Sequence, residues 1–184
     1  MWNGQRKEAR LTSLTMKTDS RPDVRPHDPG MTMNASSSVI SRSLALYLRV
    51  ALGVTFLSAV ADRFGLWGPP GSAGVAWGEF DNFLAYTASL VPVLPLGGVT
   101  VLGWLVTVAE VGLGVALLLG FKVRVAAGGS GVLLLAFALG MMVGDGLKAP
   151  FDASVFSASA GALLLYIHPD SYLSLDAALA SGKG

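Results

Sequence analysis

The chain contains no cysteine, which removes disulfides, thiol nucleophiles, iron–sulfur ligation and cysteine-based zinc sites from its own chemistry. Histidine is nearly as scarce. His27 lies in a polar N-terminal stretch and His168 at the end of the last apolar run, so one copy cannot ligate a haem between two histidines within its apolar core. Charge is sparse as well, at 14% of 184 residues, where a soluble domain carries roughly a quarter. Lys and Arg exceed Asp and Glu by one, 13 against 12. That balance leaves no basic face for nucleic acid. No phosphate loop, dinucleotide fingerprint or nucleophile constellation is present; Gly128, Gly129 and Gly131 sit inside an apolar run and match no nucleotide motif.

What the chain has instead is apolar length. Hydrophobic residues make up 52% of it, accompanied by 23 glycines, and its mean hydropathy is +0.58. Four runs stand out. Leu44–Ala61 is broken only by Arg49, and Val99–Phe121 only by Glu110. Val125–Val143 carries no charge, and Pro150–Ile167 has Asp152 near its start. A bilayer core takes roughly 17–25 helical residues, and backbone groups in lipid must be satisfied within the helix. The expected fold is therefore all-α: a four-helix transmembrane bundle over 41–170. A disordered cytoplasmic tail over 1–40 precedes it and a short C-terminal tail over 171–184 follows. The tail assignment rests on residues such as Asp19-Ser20-Arg21-Pro22-Asp23 and on the lack of hydrophobic periodicity. A competing reading takes Ala59-Val60-Ala61 as the end of a cleaved signal peptide. Arg49 inside the apolar core and the long charged stretch before it favour an uncleaved helix.

Lys and Arg cluster before the first run and at Lys122 and Arg124, whereas the other two loops hold only Arg63 and Lys148. The bias of basic residues towards the cytoplasm then places both termini there, in the plasma membrane of a prokaryote. The long outer loop opens on the turn Trp67-Gly68-Pro69-Pro70-Gly71. Phe80, Phe83, Leu84 and Thr87 follow at helical spacing, which predicts an amphipathic helix ended by Pro92 and Pro95. Trp67, Trp77 and Tyr86 suit an interfacial aromatic belt. Gly140–Gly144 and Ser157–Gly161 are spaced for close helix packing, within one chain or between two.

Ionisable residues inside lipid are costly and so become functional candidates. Glu110 lies eleven residues from either end of its run, roughly 16 Å from the Phe121 edge at 1.5 Å per residue. Arg49, roughly 8 Å from the same edge, is its expected partner, with snorkelling to the headgroups as the alternative. A second group of Asp62, Arg63, Glu79, Asp145, Lys148 and Asp152 forms either a polar mouth for a substrate or an ordinary solvated rim. No metal site is expected.

Several segments occur in an ordered series: Leu48-Arg49-Val50-Ala51-Leu52-Gly53, Arg63, Val108-Ala109-Glu110-Val111-Gly112, and Leu118-Leu119-Gly120-Phe121-Lys122-Val123-Arg124. With this series the chain resembles the DoxX/DoxD-like membrane proteins over about 44–168. Gly65-Leu66-Trp67-Gly68 and Lys148-Ala149-Pro150 look like one branch of that family. The chain departs from the family pattern at Ala61-Asp62, where a glycine is expected before the basic residue. The resemblance implies a four-helix membrane bundle and links the chain to quinone-coupled oxidation of sulfur compounds or to membrane oxidoreductase complexes of oxidative-stress defence. On that basis no cofactor is intrinsic, quinone is the expected redox molecule, and Glu110 is the proton acceptor it would need. A redox protein or a further copy of the chain is the expected partner within the bilayer. Two alternatives stand beside this reading: a structural or assembly protein without catalysis, and an oligomeric small-solute transporter. Whether the chain is an enzyme is left open by the residues.

Overall fold

In a computed structural model, residues 29–169 and 173–181 are described, with side chains from Val39 onward except Ala180. The chain divides into two units at Ser37/Ser38, and apart from the start of α1 the description concerns the second. Seven helices run in order: α1 Pro29–Arg63, α2 Phe80–Leu90, α3 Leu96–Leu119, α4 Val123–Gly144, α5 Ala149–Asp152, α6 Val155–Ile167 and α7 Leu175–Ser181. There is no strand among the described residues.

Three segments, Val39–Arg63 of α1, α3 and α4, are long and apolar enough to cross a membrane. Their outward faces are hydrophobic, as at Val108 and Val132, which are 65% and 66% exposed. Such a surface suits lipid and not water. The fourth apolar run differs from its expected form. Its helix breaks after Asp152, and Ser154 takes a left-handed conformation at φ 55° before α6 begins. The unbroken helix α6 has 13 residues, roughly 20 Å of rise against the roughly 30 Å of a bilayer core.

The ends also depart from the expected boundaries. α1 begins at Pro29, so the last residues of the expected disordered tail are helical, while residues 1–28 lie outside the described residues. The expected C-terminal tail contains α7. Its Asp176 accepts hydrogen bonds from the backbone N–H groups of Lys122 (2.9 Å) and Val123 (3.1 Å), capping the start of α4. An anion suits the unsatisfied donors of a helix N-terminus. Sequence periodicity carries no signal for such a contact between segments more than fifty residues apart.

Where α1, α3, α4 and α6 meet, Leu52, Phe56, Leu117, Ala127, Leu134, Ala162 and Leu165 form a common core. Small residues set how closely the helices approach. At Gly53, a Cβ would stand 2.7 Å from Leu118 and 2.9 Å from the Gly114 carbonyl, so α1 and α3 touch almost backbone to backbone. Gly131 does the same for α4 against Leu163 of α6, where the Ser159 hydroxyl donates to the Gly131 carbonyl at 2.8 Å. The Gly140–Gly144 pair packs within the chain, but on Leu90 of the short helix α2 and not on another long helix. α2 itself matches the amphipathic helix expected in the loop, and buries Phe83 and Thr87.

Gly53→Val is expected to lower stability in detergent by about 1–3 kcal/mol through overpacking. Gly112→Ala, where a Cβ meets open space, is expected to leave stability unchanged or raise it by up to about 1 kcal/mol. Thermal unfolding followed by circular dichroism reads both, and an unchanged Gly53→Val protein would contradict the packing described.

Candidate functional site

Glu110 lies on the inward face of α3 with Thr107 one turn before it. Both are buried, Glu110 to 1% exposure. The cation that meets Glu110 is Arg63, the last residue of α1. The Arg63 Nη2 donates to Glu110 Oε1 at 2.9 Å and Nη1 donates to the Thr107 hydroxyl at 3.0 Å. Nη1 also makes an ion pair with Glu110 Oε2. The Thr107 hydroxyl itself donates a hydrogen bond to the Gly103 carbonyl at 2.8 Å. Each Arg63 amino group therefore faces the carboxylate, and the hydroxyl is oriented to accept from one of them.

The guanidinium is roofed by aromatic rings. Its carbon lies 3.8 Å from the centroid of Phe83 and 5.3 Å from that of Trp77, and these two rings meet edge to face at 5.5 Å. Arginine over an aromatic face gains attraction that grows as water is removed. The roof is itself held by charge. Asp62 Oδ2 accepts from the backbone N–H of Ala76 (2.9 Å) and of Trp77 (3.1 Å), which ties the far end of the loop back to α1. Gly78, at φ +71°, completes the turn, and a Cβ there would fall 2.4 Å from the Pro70 nitrogen. Gly103 admits Leu84, since a Cβ would stand 2.5 Å from it, and so seats α2 against α3.

This geometry corrects the expected pairing of Arg49 with Glu110. Arg49 is buried to 1% exposure, and its Nε donates to the Leu117 carbonyl at 3.2 Å, near the other end of α3. The register explains the difference. α1 and α3 run antiparallel with Gly53 against Gly114, so Arg49 lies beyond Gly114 towards the Lys122 end and Arg63 returns towards Thr107 and Glu110. Nor do the six charges of the expected polar mouth face one opening. Asp62 and Arg63 are buried with the partners just described, and Glu79 is exposed. Asp145 accepts from the Tyr86 hydroxyl at 2.6 Å, and Lys148 pairs with Asp152 across one turn at the surface. Among the aromatic residues expected at an interfacial belt, Trp67 is exposed while Trp77 turns inward over Arg63. Phe64, Phe80 and Trp104 form a further aromatic cluster, with Phe80 and Trp104 centroids 4.6 Å apart. Hydropathy and charge alone do not mark Thr107 and Phe83 as site residues. The Thr107–Glu110 spacing of three, which places both on one helix face, was the available signal.

Chemically, the site holds opposite charges in fixed proximity away from water and lipid. Breaking such a pair strands one charge. No group of three or more His, Cys, Asp or Glu suited to a metal ion occurs among the described residues.

Residues 44–143 match the family described as DoxX, more than half of the 184 residues. No curated protein and no solved structure matches the chain.

Two measurements follow from the site. Arg63→Leu or Glu110→Leu alone is expected to cost about 3–5 kcal/mol, whereas the double apolar replacement recovers most of it. Unfolding midpoints of the three variants test this, and a double variant as unstable as the singles would refute it. At Tyr86, burial first and the Asp145 carboxylate second push the phenol up from 10.0 to about 12. The raised value adds stability in full below pH 10, lost as pH rises towards 12. An absorbance titration of phenolate should show a late phase that Tyr86→Phe removes.

Proposed function

This chain belongs to the DoxX family, and on that premise we propose that it is a non-catalytic membrane subunit or partner of a quinone-linked oxidoreductase system. It sits in the plasma membrane of a prokaryote with both termini in the cytoplasm. α6, extended by α5, makes the fourth crossing. The orientation is supported by Lys122 and Arg124 at the turn from α3 into α4, opposite the end at Arg63.

The observation that carries the assignment of a non-catalytic role is the state of Glu110. Both its oxygens are engaged by Arg63, and Thr107 and the rings of Phe83 and Trp77 surround that guanidinium. A general base must reach the proton it abstracts. A carboxylate committed in this way to a neighbouring cation serves better as a fixture that joins helices. Electron transfer then belongs to quinone and to a partner's own cofactor, while this chain presents a shaped apolar surface in the bilayer. A second reading, a scaffold with no redox association, draws on the same ion pair.

The test uses the full-length protein and its Arg63→Leu/Glu110→Leu double variant, both purified in mild detergent. Bound small molecules and co-purifying proteins are identified by mass spectrometry. Quinone or an oxidoreductase subunit retained by both proteins is the expected result, with the pair structural. Loss from a double variant that still folds would overturn the structural role of the pair and give it a direct part in binding. Neither quinone nor a redox protein with either form would overturn the quinone-linked reading in favour of the scaffold.

A further inference from the structure

A groove of about 690 Å³ opens between α3 and α4, and its wall is almost wholly apolar. Ala109 and Gly112 form one side, and Gly128, Gly129, Val132 and Ala136 the other. Gly112 and Ala136 are exposed, and a Cβ on Gly112 would meet nothing within 4 Å. The groove lies on two of the three helices suited to crossing a membrane, so its surroundings are lipid chains. The volume falls in the range of roughly 300–1,000 Å³ typical of small-molecule sites.

Basic residues follow one turn beyond the groove on α4. Arg124, Gly128, Val132 and Ala136 follow at intervals of four along α4, one continuous ridge of roughly 18 Å. The exposed guanidinium of Arg124 lies 5.1 Å from the centroid of the Tyr166 ring. That ring lies against Gly128, where a Cβ would stand 2.9 Å from it. Arg124 thus lies one turn beyond Gly128, over a ring of α6 that packs on that glycine. Lys122, also exposed, adds a second cation two residues earlier. The nearby carboxylate of Asp176 is turned to the backbone N–H groups of Lys122 and Val123. Among the described residues, no acidic one lines the groove.

We propose that this groove is a binding site for an anionic phospholipid of the leaflet on the Lys122 side. An acyl chain lies along Gly112, Gly128, Val132 and Ala136, and the phosphate meets Arg124 and Lys122. The apolar wall selects a chain, and the paired cations select a negative headgroup over a zwitterionic one. Each basic residue near the bilayer surface favours anionic lipid, and arginine offers a forked donor set to phosphate. The site is independent of the Arg63–Glu110 pair and of any association with quinone.

Native mass spectrometry of the full-length protein, titrated with phosphatidylglycerol or phosphatidylcholine, tests this. Phosphatidylglycerol is expected to bind in preference to phosphatidylcholine. Arg124→Gln should weaken it about fivefold, the effect of one basic residue at an anionic surface, while Arg124→Lys retains most of the binding. Gly112→Leu, or Val132→Trp from the opposite wall, should abolish the preference with helical content and unfolding temperature intact. Equal binding of the two lipids would overturn the proposal, as would Arg124→Gln and both groove-filling variants that bind like the wild type. Because the chain has no native cysteine, Gly112→Cys reports directly on the rival occupant. Efficient disulfide-linked dimers in the bilayer would assign the groove to a second copy and overturn the lipid site; monomer alone is the expected result.

Discussion

The ion pair of Arg63 with Glu110 is the constraint around which one half of the molecule is arranged. A single carboxylate in the middle of an apolar helix is tolerable only with a partner. The partner comes from the last residue of α1, and the end of that helix is therefore fixed against the middle of α3. Position at a helix C-terminus also suits the cation, since the helix dipole is negative there. Everything nearby serves to keep water and lipid from the two charges. Phe83 arrives on α2, Trp77 arrives on the loop, and Asp62 holds that loop by two backbone N–H groups. The adjacent acid and base at the end of α1 thus divide the work: Arg63 binds Glu110, and Asp62 positions the cover.

The other half depends on close approach. Gly53 against Gly114 brings two backbones almost into contact, and Gly131 makes room for the Leu163 side chain. Lipid gives no hydrophobic drive to helix association, so dispersion at such short range and hydrogen bonds like that of Ser159 carry the packing. Arg49 marks the end of this region by donating to the Leu117 carbonyl close to the C-terminus of α3. The same carbonyl accepts from the Gly120 N–H at 3.2 Å, so the buried arginine adds a second donor to that end of the helix. Arg49 and Arg63, fourteen residues apart on α1, hold opposite parts of the same neighbouring helix.

How far these features can be read from the sequence depends on the range of the interaction. The three long helices follow from runs of apolar residues, a purely local property, and so does α2, whose apolar face repeats at helical spacing. The break between α5 and α6 is a tertiary outcome. Ser154 adopts a left-handed conformation that residue type alone does not demand, and the apolar run reads continuously through it. The partner of Glu110 is non-local too. Depth in the bilayer made Arg49 and Glu110 look close, but a depth argument ignores reach: a long arginine at the helix end can point back along α3 by two turns. The rotation of each helix decides which cation faces the acid, and hydropathy does not encode it. The Asp176 cap lies beyond local patterning for the same reason, since it joins segments more than fifty residues apart.

Functional inference turns on what a buried acid is free to do. Glu110 looked like a proton acceptor because nothing else in a cysteine-free chain of so few charges offers redox or proton chemistry. Its surroundings change that inference. A general base needs a vacant direction towards substrate, and here both oxygens point to one guanidinium beneath two aromatic rings. Stability and reactivity thus compete for the same group. The surfaces available for recognition lie elsewhere, on the lipid-facing sides of α3 and α4, where glycine and alanine leave room and no interior charge is at stake. A membrane protein built in this way contributes shape and position through its packing, not through a free acid.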